Sequence, residues 1–561
     1  MEDHSLYKVY GEIEVEDPWN PTDYEVMNFF GGTGTDSQQN NLPQEECNWV
    51  QNDISIPHVV TPALESILQP IIYDHMIHYP KAHQQQLPEE TAKPQLKENQ
   101  HSFSLASLEL LGNSGKWLIK KRDHEILSQT NDQSGQKLSL AEIVRVAGKR
   151  YIQFSTQKAD GFSELINPYG TYIITDLLAA ETAGVELVQL LLIVAECVGQ
   201  RQFDLASELI NCCLWLASDS GNSAQRIVFY FAQALQNRIN VETGKTTPEK
   251  MMEQYYYAKN LEVDFDLSFL ACHQALPFIQ VTQFAAMQAI FDNLKSANKI
   301  HLIDLHIRSG IHWTVLMQAL TERDEHDRPA VLLKITAVGL TNKQHVEETG
   351  KRLISFAESL NLSLSFKVIM VSDMQELKED MFNKEADEAV AVYCPLILRT
   401  MISKPDSLRT VIKVIRRMKP SVVVVTEVEA NHNSPSFLNR FTESLFFYSG
   451  FFDSLDECME RNNMHRKTIE GIYLGEGIRN MVGSEGDKRC TRNVRIDVWR
   501  EFFARYGMEE VELSNSSLRQ ANLILNYFHN ATSCNITSNG KGITVGWKGT
   551  PIHSLTTWKF L

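Results

Sequence analysis

A chain of 561 residues that is 43% hydrophobic holds apolar material for a large core, on the usual prior about three to four domain lengths of roughly 150 residues each. Its 53 Lys and Arg against 70 Asp and Glu give a net charge of −17, and residues 1–80 carry fourteen carboxylates against one basic residue, Lys8. Phosphate neutralisation needs clustered cations, so this balance, with no basic stripe apparent in the sequence, argues against direct nucleic-acid binding.

Residues 1–137 differ from the rest. A Gly/Thr/Ser/Gln/Asn tract (Gly31 to Asn41), a His/Gln cluster (His83 to Gln86) and scattered prolines show no sustained periodicity. Such composition does not offset the entropy of ordering, so an arm that is mostly disordered is expected. Its acidic residues are interleaved with Trp19, Tyr24, Phe29, Phe30 and Trp49, a pattern suited to segments that fold onto a partner, although a solubilising tail has the same composition. Lys116, Lys120, Lys121 and Arg122 form a short basic cluster that could serve nuclear import. The start is acidic and lacks the apolar run of a secretory signal. No uncharged apolar stretch of membrane-spanning length is read; the longest, Leu187 to Val198, is interrupted by Glu196. Nine cysteines, an odd count with no C-x-x-C spacing, point to buried thiols in a reducing compartment.

From Leu138 onward the chain reads as one folded unit. Three helical patterns come first, Ala183 to Val198, Phe203 to Ala217 and Ala224 to Ile239. Leu187, Leu190 and Leu191 form an L-x-x-L-L string that could enter a partner's groove, though core helices use the same string. Pro277 opens a further helix with Phe278, Val281, Phe284, Ala285 and Ile290 on one stripe. Strands Ile300–Leu305, Val331–Val338, Leu364–Val371, Ala389–Tyr393 and Ser421–Thr426 then alternate with helices Trp313 to Thr321, His345 to Leu360 and Leu408 to Met418. That alternation predicts a parallel, doubly wound α/β sheet, Rossmann-like, with a helical layer before it. A helix is expected from a Ser434 cap and Pro435, with Phe437, Phe441, Leu445 and Tyr448 inward and Gly450 as its stop. Helix Val494 to Tyr506, strand Met508 to Leu513, helix Ser517 to Phe528 and a hairpin around Asn539-Gly540 complete the reading.

Ligands of a doubly wound sheet sit beyond the carboxyl ends of its strands. The first strand ends in Asp304, but the following loop holds a single glycine, Gly310, where a methyltransferase of the S-adenosylmethionine type needs close backbone approach. The second strand ends Thr336-Ala337-Val338-Gly339, without the carboxylate that grips a ribose. No cofactor and no catalytic residue is expected. The fifth strand ends in the polar run Glu427 to Asn433, either a Glu–His site or a set of groups capping the helix that begins at Ser434. His301, His306 and His312 with Asp304 invite a metal reading, yet strand alternation sends His301 and Asp304 to opposite faces, so no metal is expected.

Ile300-His301-Leu302-Ile303-Asp304 resembles the VHIID motif of the plant GRAS family. It lies between leucine-rich regions at about 183–276 and 343–375, in that family's order. Pro395 begins a stretch resembling PFYRE, about 395–470, which takes in Phe447, Tyr448, Arg466 and Glu470. Trp547 and Thr556-Thr557-Trp558 resemble the closing SAW region, about 495–561. The resemblance covers 138–561, and Leu138 to Ser155 looks closest to the DELLA-like branch, although the DELLA and TVHYNP strings are absent. Leu305, Thr314, Thr556-Thr557 and Cys490 to Asn493 depart from the family pattern. The resemblance implies a methyltransferase-like fold with an N-terminal helical cap. It implies homo- or heterodimers with other GRAS proteins, transcription-factor partners, residence in the nucleus, and control of plant gene expression in development or signalling. Partner contact is then expected at the motif residues, from Leu187, Leu190 and Leu191 through the VHIID strand to Trp558. The alternative is a methyltransferase, or a sensor gated by a small ligand, built on the same core.

Overall fold

The computed structural model describes residues 138–157, 178–247, 265–322 and 331–561; the expectations for residues 1–137 lie outside these. Four helices come first: α1 (Leu140–Gln157), α2 (Ala179–Gly199), α3 (Phe203–Leu216) and α4 (Ser223–Glu242). Then α5 (Phe265–Ala275) and α6 (Pro277–Leu294) lead into alternating elements. These are β1 (Lys299–Asp304), α7 (Ile311–Thr321), β2 (Leu332–Gly339), α8 (Lys343–Ser359), β3 (Ser363–Met370), β4 (Ala389–Pro395), α9 (Pro405–Met418), β5 (Val422–Val428) and α10 (Phe437–Cys458). After a helical run between Met464 and Gly483 come α11 (Ile496–Arg505), β6 (Met508–Val511), α12 (Asn515–Tyr527), β7 (Cys534–Asn539), β8 (Gly542–Trp547) and β9 (Thr550–Phe560).

The strand order is β3-β2-β1-β4-β5-β9-β8-β7, with β6 also paired to β9. The first five strands are parallel, and β9 adds antiparallel to β5. The strand order reverses between β1 and β4, the place where a doubly wound sheet opens a crevice. Continuous apolar runs drive this centre: every residue of Val422–Val428 is buried, as a strand covered on both faces requires. Side chains alternate between the faces. Ile303, Val390, Val392, Val423 and Val425 share one cluster with Leu408, Ile412 and Ile415 of α9 and with Trp499 and Phe503 of α11. On the other side α6 packs against β4, β5 and β9.

The strands from β1 to β5 and the helices between them fall within a few residues of their predicted bounds. Four features do not match the reading. The helix expected to start at Ser434 is capped by Ser436, whose side chain accepts from Asn439 N, and Gly450 does not stop it. Gly450 lies mid-helix because a Cβ there would press on Ile552 and Thr550 of β9 at 3.1 Å. The sequence after residue 530 predicts a two-stranded hairpin, yet β9 is a third and central strand. α2 reaches 21 residues and is apolar enough on composition to cross a bilayer; its apolar face is buried against α1, α3, α4 and α10. A basic stripe exists after all. Arg409, Lys413, Arg416 and Arg417 are exposed along α9, because the apolar residues between them turn inward.

The eight described cysteines are free. Burial pushes the thiols of Cys272 and Cys534 up to about 12 and that of Cys197 to about 11, so these three behave as small core hydrophobes.

Candidate functional site

The carboxyl ends of β1, β4 and β5 lie side by side where the strand order reverses. Asp304 ends β1 in register with Ala337 of β2 and Tyr393 of β4, and is fully buried. One carboxylate oxygen accepts from the His306 backbone N–H at 2.9 Å. The other accepts from His312 Nε2 and from Trp313 Nε1, both at 2.9 Å. Gly310, at φ 70°, turns the chain into α7 and so brings both rings back over the strand end; a Cβ there would meet Thr349 at 2.9 Å. Asp304 therefore locks a loop, and both of its oxygens are engaged from within. The tip of β2 runs Gly339-Leu340-Thr341-Asn342; Asn342 caps α8 by accepting from His345 N at 3.1 Å. No carboxylate stands at this tip.

His301 faces away from Asp304, as strand alternation predicts. Its Nδ1 lies 2.9 Å from Glu388 Oε2 and its Nε2 2.8 Å from Thr336 Oγ1. Burial, then the nearby Lys334, hold its pKa down at about 4. Among the described residues no group of His, Cys, Asp and Glu is arranged to hold a metal ion.

The polar run after β5 splits between three places. Glu427 Oε1 accepts from the backbone N–H of Leu398 at 2.8 Å and of Arg399 at 3.3 Å, while Oε2 has no partner in the structure. Glu429 Oε2 accepts from Ile496 N at 3.0 Å, at the start of α11. His432 Nδ1 lies 2.8 Å from Asn493 Nδ2, and its ring stacks 6.3 Å from Tyr448 and meets Phe447 edge-on. These groups satisfy neighbouring backbone and side chains, and none of them caps α10. Burial pushes both glutamates up to about 7 and the His432 imidazole down to about 3.

Around this rim lie residues that the sequence reading did not single out. Arg308 sits in the β1–α7 loop at φ 49° with its guanidinium 4.9 Å from the Phe269 ring. Arg399 follows β4, where Leu396 has φ 54°. Its guanidinium donates to Leu396 O at 3.2 Å, Asn493 Oδ1 at 3.5 Å and the Tyr473 hydroxyl at 3.4 Å. Tyr473 belongs to the π-helical turn Ile469–Leu474, a rare geometry that recurs at functional sites. Burial opposes ionisation of this phenol, but the positive charges of Arg399 and then Arg308 bring it down to about 8. His306 is held at about 3 by burial and then by Arg308, and its Nδ1 lies 3.4 Å from Pro395 O.

The remaining motif residues are dispersed. Arg466 and Glu470 do meet, in a ladder with two residues absent from the sequence reading, Arg226 of α4 and Asp456 of α10. Arg226 Nε and Arg466 Nε reach Glu470 at 3.0 Å, and their other arms reach Asp456 at 3.1 and 2.6 Å. Trp547 donates to Asp453 at 3.0 Å on one side of the sheet, whereas Trp558 packs on Phe503 with ring centroids 4.7 Å apart on the other. Leu187, Leu190 and Leu191 are buried within the helical layer, and the VHIID-like strand lies between β2 and β4. Only the pairing of Arg466 with Glu470, four residues apart, was within reach of sequence spacing.

The model of the GRAS domain family matches residues 187–559. DELLA protein GAI1 of Vitis vinifera is 29% identical over 384 residues, 68% of this chain and 63% of that protein. DELLA protein RGL1 of Arabidopsis thaliana is 29% identical over 384 residues, 68% of this chain and 71% of that one. The match thus spans just under two thirds of the grape protein's length. Among solved structures, that of SCL7 from Oryza sativa superposes with a TM-score of 0.58 at 28% identity, covering 66% of this chain and 99% of the other.

Proposed function

This chain belongs to the GRAS domain family, and from that premise we propose that it is a non-catalytic transcriptional regulator working in the nucleus through transcription-factor partners. The proposal includes assembly with itself or with other GRAS proteins, and control of plant gene expression. The observation that carries the non-catalytic part is that both oxygens of Asp304 are engaged by the loop that follows it. In a nucleotide-binding core the acid at the first strand end serves the ligand; here His306 N, His312 and Trp313 consume it. The β2 tip adds no second acid. Partner contact is assigned to the motif set that includes Leu187, Leu190, Leu191, Pro395, Phe447, Tyr448, Trp547 and Trp558. Those of them that are buried act by shaping the surface rather than by touching a partner. The acidic segment 1–80 is assigned the recruiting role.

Tethering the full chain to a reporter promoter through a heterologous DNA-binding domain tests this. Output changes if the proposal is right, and deletion of residues 1–80 removes most of the change; an unaltered reporter overturns it. Calorimetry with S-adenosylmethionine tests the alternative, and micromolar binding abolished by Asp304→Ala would establish a cofactor site. An electrophoretic shift by the chain alone, lost when Arg409, Lys413 and Arg416 of α9 are neutralised, would instead assign direct phosphate contact to the basic stripe.

A further inference from the structure

We propose that the crevice between the β1–α7 loop, the β4–α9 loop and the π-helical turn binds a small oxyanion, a carboxylate or phosphate monoester, between Arg308 and Arg399. Such a site stands whether or not the domain binds transcription factors.

Three observations carry it. First, His306, Arg308, Arg399 and Tyr473, drawn from three segments, are each partly exposed. Polar groups left partly exposed where three segments converge line a crevice, not a packed core.

Second, the guanidiniums there lack ion-paired carboxylates. Neither Arg308 nor Arg399 has a carboxylate within ion-pair distance among the described residues, whereas Arg226 and Arg466 in the neighbouring ladder each have two. Enclosed guanidiniums are costly unless paired. The nearest acid, Glu427, spends one oxygen on backbone N–H groups of the β4–α9 loop. Burial raises it to about 7 even with Arg399 nearby, so near neutral pH it carries only part of a charge.

Third, the backbone is strained on both sides of the crevice, with Arg308 at φ 49° and Leu396 at φ 54°. Non-glycine residues persist in that region where surrounding structure holds them, and they cluster at ligand clamps.

The chemistry follows from the donors. Planar guanidiniums match the fork of a carboxylate or phosphate. Tyr473 accepts from Arg399, and its ring lies 6.4 Å from that of Phe269, over which Arg308 sits, so both arginines flank the same phenol. The partly exposed Phe269 ring beside Arg308 offers an apolar wall for the ligand's body.

The test uses the full chain and two probes, inorganic phosphate and benzoate, each against sodium chloride at equal ionic strength. Thermal unfolding followed by fluorimetry rises saturably with one probe or both; phosphate alone assigns a phosphate ester, benzoate alone a carboxylate. Arg308→Gln and Arg399→Gln each weaken that response at least about tenfold, as loss of a charge-assisted pair predicts. Absorbance at 295 nm, taken as wild type minus Tyr473→Phe, shows a phenol titrating near pH 8 that moves upward when the probe binds, because an anion offsets the guanidiniums. Should Arg399→Gln fail to fold, Arg308→Gln and the absorbance difference decide alone. Stabilisation no greater than that given by chloride, a response unchanged in the variants, or a phenol unmoved by saturating probe overturns the site.

Discussion

The sharpest quantitative expectation concerns the ladder that joins the helical cap to the rest of the domain. Glu470 is 1% exposed and takes Nε of both Arg226 and Arg466 at 3.0 Å, these side chains being 3% and 2% exposed. Each guanidinium also donates to a carbonyl, Arg226 to Gly221 O at 2.7 Å and Arg466 to Met459 O at 3.0 Å. Asp456, 31% exposed, closes the ladder from the rim. Burial raises the Glu470 pKa; it works against the Asp456 charge too, but there Arg226 and Arg466 outweigh it and hold the group low. Glu470→Gln removes the inner charge and leaves two enclosed guanidiniums sharing one rim acid. Breaking a buried pair from one side costs about 3–5 kcal/mol. Asp456→Asn removes a partner that water already screens and costs about 1 kcal/mol. Urea unfolding of the wild type and both variants measures the difference, and Arg466→Met on each background completes a double-mutant cycle whose coupling belongs to Glu470. The reasoning is refuted if Glu470→Gln costs less than Asp456→Asn, or if the cycle shows no coupling between Glu470 and Arg466.

Stability should depend on pH in two opposed ways. His306, His432 and His553 are held near 3 by burial, below the ordinary value, so their contribution is present above about pH 6.5 and is lost as pH falls through 6.5 toward 3. Glu427 is raised to about 7 by burial, so its contribution is present below about pH 4.5 and is lost as pH rises through 7. The wild-type advantage over Glu427→Gln therefore shrinks by up to about 3 kcal/mol between pH 4.5 and pH 8, measured by urea midpoints across that range. Asp304→Ala strands two buried ring donors and is expected to cost about 3 kcal/mol, read by thermal unfolding; a shift in midpoint near zero would show that the loop does not depend on this acid. Gly350→Ala on α8 drives a Cβ into the Phe366 ring of β3. Overpacking there should cost about 1–3 kcal/mol, measured the same way.

The parallel half of the sheet was legible because each strand is an apolar run and each helix between them shows its period. β9 was not. Its sequence, from Thr550 to Phe560, is rich in Ser, Thr and His, and it is buried because β5 lies on one side and β8 and β6 share the other. Backbone pairing, not side-chain hydrophobicity, places it, and composition does not report pairing. The same limit applies to the helical run that ends at Gly483, whose glycines argue against a helix although they lie in two π-helical turns and the short α-helical turn between them. At the candidate site, Asp304 and the bare β2 tip were visible from the strand ends. Its link to His312 was not, because the path of the loop between them turns on the φ of Gly310. Arg308 and Arg399 lie 91 positions apart and acquire meaning only through Tyr473, which belongs to a third segment.

The placement of β9 has a consequence for biosynthesis. A nascent chain that has emerged as far as residue 549 already contains β5, β6 and β8, yet none of them has the strand that joins it to the others. Until the next eleven residues leave the ribosome, the valine-rich edge of β5 is open to other chains. A chain truncated after Gly549 should therefore spend longer bound to chaperones than the full chain.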